Sequence, residues 1–173
     1  MIKYRVRRGA RILFIGINPH YGSFRRGVPF SNNKMFWYLL AKSGLITENI
    51  ADLKDDTKLK KVYKNKFSSV YRLNLLNVVN RPSFDITELK RGEERRGRIR
   101  ISNAIKNFRP KIVCFVGKTA FQKFSGKKHI DFGWQPDRFN SKIFVMHFPL
   151  RGKAIIRIRE LKLLAMLSES KGY

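Results

Sequence analysis

Two well-separated stretches, RILFIGI from Arg11 to Ile17 and KIVCFVG from Lys111 to Gly117, are apolar almost throughout instead of alternating. A strand with one wet face alternates polar and apolar residues. A strand apolar on both faces belongs in a sheet covered by helices on both sides, the usual setting of parallel sheets. A third such run, IFVMHF, starts at Ile143. The segments between them carry helical spacing. KMFWYLLAKSGL has apolar residues at 35, 36, 39 and 40 and stops at Gly44, and RIRISNAIKNF runs to Pro110. KTAFQKF reads as a short helix, and KAIIRIRELKLLAMLSES as a long terminal one. Strands separated by helices imply an α/β layer fold with mainly parallel pairing. The length of 173 residues suits one domain, expected over 1–173.

The rest of the chain is less regular. Asn18 to about Lys34 reads as a long loop with Gly22, Gly27, Pro29 and the pair Asn32–Asn33. Residues 50 to 67 are charged and weakly periodic, a surface helix or excursion. A short strand or turn is expected over 75–79, closed by Arg81–Pro82, and GKKHIDFGWQPDRFNSK reads as loop.

Charge limits the partners. The chain has 38 Lys+Arg against 12 Asp+Glu, a formal net charge of +26. A compact fold with that surplus repels itself, so a polyanion is the natural partner, although charge alone does not separate DNA from RNA or an anionic membrane. The single cysteine, Cys114, lies inside an apolar run and reads as core, with no disulfide or cysteine metal cluster to build. The basic start leads into an apolar run too short for a membrane span and without a cleavage signature, so an intracellular protein, cytoplasmic and nucleoid-associated, is expected.

Ligands of parallel sheets gather beyond the carboxyl ends of the strands. Asn18, Gly117 and His147 all fall there. Asn18 has two readings from spacing: a turn starter before Pro19, or an amide that holds a water through its carbonyl oxygen. Phe30, in a loop, is either core or a platform for a flat base, and Asn32 and Asn33 could read a base edge. His20 and His147 lie near different strand ends and could meet in space. No serine elbow, zincin helix, phosphate-binding glycine loop or dinucleotide fingerprint is present.

The stretch LFIGINPHYGSFRRGVPFSNNKMFWYLLAKSGL strongly resembles the opening of the mismatch-specific uracil/thymine DNA glycosylases, within the uracil-DNA glycosylase superfamily. The likeness continues through YRLNLLNVVNRPS, RPKIVCFVGKTAFQKF and DFGWQPD, thinning at FVMHFPLRGKA. It implies a three-layer α/β/α sandwich with a central, mainly parallel four-stranded sheet. It also implies a monofunctional, cofactor-free and metal-free monomer that hydrolyses the N-glycosidic bond of uracil or thymine in mismatched double-stranded DNA.

Carried over residue by residue, Asn18 positions the hydrolytic water and Phe30 stacks on the flipped base. Gly16 and Ile17 form the pocket floor. Leu150, Arg151 and Gly152 fall in the loop that enters the minor groove, and Lys118 approaches backbone phosphates. His20 stands in place of the family glycine, where it would narrow the pocket or bond a different base. His147, in HFP, resembles a histidine-proline motif of other branches and so has either a leaving-group role or a structural one. Two alternatives follow: a glycosylase shifted to hypoxanthine or another damaged base, and a basic nucleic-acid-binding module without catalysis.

Overall fold

The computed structural model describes residues 1–169. Its centre is a sheet in the order β2-β1-β3-β5-β4. The strands are β1 (Ile12–Gly16), β2 (Leu73–Asn77), β3 (Ile112–Val116), β4 (Gly133–Arg138) and β5 (Ser141–Met146). β2, β1, β3 and β5 are mutually parallel, which is the expected four-stranded parallel sheet. β4 adds an antiparallel edge in a segment whose Gly, Pro and Asp content reads as loop. It is a strand because a two-residue turn, Phe139–Asn140, folds it back on β5. Both turn residues have positive φ (50° and 65°), the geometry that matches strand twist. Its side chains are mostly exposed, so no apolar pattern announces it.

Side-chain alternation along the strands makes two cores. Ile12, Phe14, Leu73, Leu75, Ile112, Cys114, Phe144 and Met146 face one way. They are covered by α2 (Met35–Lys42), α3 (Ile50–Lys54), α4 (Asp56–Val62) and α7 (Ala154–Glu169). Leu13, Ile15, Leu76, Val113, Phe115, Ile143 and Val145 face the other way, under α5 (Glu94–Phe108) and α6 (Lys118–Ser125). The result is an α/β/α three-layer sandwich. Trp37, fully buried, donates from Nε1 to the carbonyl of Pro29 at 2.9 Å and pins the preceding loop to α2.

Three expectations change in detail. The 18–34 segment contains α1 (Tyr21–Arg26), six residues closed by Gly27 in the left-handed region. The charged 50–67 stretch is α3 and α4 followed by a π-helical turn, Tyr63–Phe67; Asn49 and Asp55 cap the two helices. β2 begins at Leu73, earlier than apolarity suggests, because Asn74 and Asn77 interrupt the run. Both are buried and bonded: Asn74 exchanges two hydrogen bonds with the backbone of Arg7, and Asn77 Nδ2 donates to the Tyr4 hydroxyl at 2.6 Å. The N-terminal segment thereby wraps the outer edge of β2, with Ile2 in the first core and Val6 against the second.

Candidate active site

At the carboxyl end of the sheet, β1 and β2 finish in register with Gly16 opposite Asn77. Gly16 has no side chain, and two neighbours occupy that space. A Cβ there would collide with Asn77 Oδ1 and stand 3.0 Å from Phe30 Cζ. Phe30 holds φ +55° and stacks on Phe36 at 4.5 Å between centroids, 28° from parallel. Phe36 in turn meets Phe14 edge-on at 5.3 Å. Phe30 is thus backed by the core on one face and half-buried, standing over a glycine and an amide.

Beyond Gly16 the chain continues beside the segment after β2. Val78 and Val79 donate backbone hydrogen bonds to the carbonyls of Gly16 and Ile17 at 2.9 and 2.8 Å. The Ile17 side chain packs against the second core. Asn18 is held wholly through its amide nitrogen. Nδ2 donates to Ser83 Oγ at 2.7 Å and to the carbonyls of Arg81 and Pro19 at 3.3 and 3.4 Å. Its carbonyl oxygen therefore remains to accept.

Ser83 is itself fixed. Its hydroxyl donates to the Asp85 carbonyl, its backbone N–H donates to Pro19, and Asp85 caps the 3-10 turn Ile86–Glu88. The Arg81 guanidinium bonds both carboxylate oxygens of Glu93, and that pairing holds Glu93 below the ordinary carboxylate range.

His20 caps α1, its Nδ1 accepting from the Gly22 N–H at 3.0 Å, and its ring meets Phe84 edge-on. His20 pairs with Ser83 on the β2 side, whereas His147 follows β5. The two histidines stand on opposite flanks of the sheet edge. Asn33 Oδ1 accepts from the N–H of Met35, the first residue of α2, and Asn32 lies against Gly22. Both line a surface concavity with Arg26, Lys34 and Asp56, and neither Phe30 nor Asn18 lines it.

On the β5 side, His147 Nδ1 lies 2.6 Å from Glu160 Oε1, and the ring stacks on Phe132 at 3.5 Å. Lys118, first residue of α6, places Nζ 4.4 Å from the Phe132 ring centre. Lys118 and His147 thus meet through an aromatic between them. One strand, β3, separates β1 from β5, so the strands that lead to Asn18 and His147 lie two strand spacings apart, roughly 10 Å. Leu150 is 52% exposed in the loop after β5. Arg157, buried, donates to the Gly152 carbonyl at 3.0 Å and anchors that loop; Arg151 and Gly152 are exposed.

Four residues beside the predicted ones escaped sequence reading: Asn77, Ser83, Phe132 and Glu160. Asn77 ends a parallel strand, the same positional signal that marks Asn18. The other three reach the site through tertiary packing and have no local signature. Among the described residues, no three His, Cys, Asp or Glu side chains converge as a metal site, and no helix is long and apolar enough to cross a membrane. Burial, reinforced by Glu160, pushes the Cys114 thiol up, which leaves it un-ionised in the core. Compared with known families, the chain matches the model described as Uracil DNA glycosylase superfamily over residues 4–166.

Proposed function

Because the chain belongs to the Uracil DNA glycosylase superfamily, whose general activity is that of a glycosylase, we propose that it releases uracil, and thymine, from mismatched double-stranded DNA. The base is flipped out of the duplex before hydrolysis. The observation that carries this reading is the bonding of Asn18. With Nδ2 tied to Ser83, Arg81 and Pro19, its oxygen is preset to accept a hydrogen bond from a water aimed at the sugar.

The chemistry suits such a weak activator. As the glycosidic bond lengthens, positive character grows on the deoxyribose and the departing pyrimidine becomes an anion. A cation-like carbon needs a placed water more than a strong base. The flipped base would lie against Phe30, with Gly16 as floor and the Asn77 amide at its edge. An amide there can pair with the imide edge shared by uracil and thymine. Leu150 would fill the space vacated in the stack, and Lys118 and Arg151 would neutralise phosphates. His147 would act at the β5 flank, on the base as it leaves.

The test is base release from end-labelled duplexes carrying G·U, G·T, A·U or hypoxanthine, with alkali revealing abasic sites. Wild type should release uracil, and Asn18→Ala should lose release while keeping most of its DNA affinity. Equal release by Asn18→Ala would overturn the mechanism. Preferred release of hypoxanthine would move the substrate, and binding without release from the whole panel would leave a non-catalytic module.

A further inference from the structure

The pairing of His147 differs in kind from the other ion pairs among the described residues. Each of those joins a carboxylate to Lys or Arg, whereas Glu160 faces an imidazole. The Glu160 side chain is only 13% exposed. In a chain with 38 Lys+Arg, a largely buried carboxylate matched to a histidine has a more specific use than charge balance. Its two oxygens divide the work. Oε2 accepts from the His147 backbone N–H at 3.0 Å, and Oε1 meets the ring at Nδ1, 2.6 Å away. One carboxylate on α7 thus holds both the main chain and the side chain where β5 ends. Phe132 covers a face of the ring, 21° from parallel. With one edge bonded and one face covered, the imidazole has little room to turn.

We infer that Glu160 is a positioning residue for His147: it locks the Nδ1–H tautomer and turns Nε2 away from α7. A carboxylate accepts and does not donate, so the hydrogen in this bond belongs to Nδ1. Nε2 is then an acceptor while the ring is neutral, and a donor only when both nitrogens carry protons. If His147 acts on the departing base, as proposed above, it donates to a base carbonyl only as the doubly protonated ring. In the neutral form it reads an N–H instead. The partner on Nδ1 therefore decides which side of the base His147 can address.

Glu160→Gln tests this with little change of shape. The glutamine oxygen can keep the bond to the backbone N–H, while its amide NH2 donates to Nδ1 and drives the ring proton to Nε2. Nitrogen-15 correlation spectra of the imidazoles, assigned with His147→Gln, read the tautomer directly in the DNA-free protein. Expected are a protonated Nδ1 in wild type and a transfer to Nε2 in Glu160→Gln. In base release, kcat should fall about 10- to 100-fold, the range typical of lost orienting partners, with KM and affinity for undamaged duplex unchanged. An unprotonated Nδ1 in wild type would overturn the inference, as would an unchanged kcat once the tautomer has moved. The spectra need no turnover, so a protein that releases no base would sink the proposed function and leave the tautomer assignment standing.

Discussion

At the scale of single residues, the site depends on what Gly16 lacks and on what Ser83 holds. Gly16→Ala sets a methyl against Asn77 Oδ1 and the Phe30 ring. Overpacking of this sort typically costs about 1–3 kcal/mol. Urea unfolding should show a loss in that range, together with loss of base release, because the ring and the amide cannot both keep their places. Ser83→Ala removes the shortest of the bonds to Asn18. Net hydrogen-bond values of about 1 kcal/mol correspond to a loss of several-fold to tenfold in kcat. Single-turnover base release would measure it, and an unchanged rate would show that the carbonyls of Arg81 and Pro19 suffice.

At the scale of elements, α5 meets the segment just after β2 through Gly97, where any Cβ would run into the Val78 carbonyl. Gly97→Ala should therefore lower the urea midpoint markedly even though the position lies within a helix, where alanine is intrinsically the better residue. The N-terminal wrap has a pH signature. Burial pushes the Tyr4 hydroxyl up to about 12 from an ordinary 10.0 and thus favours its neutral form in the fold. That contribution is complete below pH 10 and is lost as pH rises through about 12, because the unfolded chain ionises first. Urea midpoints should fall over that window, and less steeply in Tyr4→Phe.

These elements also mark the limits of sequence reading. The parallel strands β1, β3 and β5 and their helices were legible because burial on two faces leaves an uninterrupted apolar run. β4 was not, since its strand state comes from pairing with β5 and from the Phe139–Asn140 turn. Within the site, Asn18 and Phe30 stood out by position and resemblance, and Asn77 follows the same strand-end rule. Glu160 and Ser83 became visible only when α7 and the turn after β2 were packed in place.

At the scale of the whole molecule, a net charge of +26 suits the phosphate-rich duplex of the proposed function. The logarithm of affinity for undamaged duplex should fall linearly with that of salt concentration, with a slope near −0.9 per phosphate contact. Lys118→Ala and Arg151→Ala should each reduce the slope by about 1, whereas Leu150→Ala should leave it unchanged and slow base release. The strand order β2-β1-β3-β5-β4 has a further consequence, for biosynthesis. The floor of the cleft is encoded before β3, whereas β5, His147 and the loop with Leu150 follow it, and β3 waits for β5 as a neighbour. A chain still emerging from the ribosome can pair β2, β1 and β3 before β5 is made, and the loop that the proposed function sends into the duplex is then still missing. On the proposed function, a chain with those three strands alone would hold the floor for a base but no loop to open a duplex.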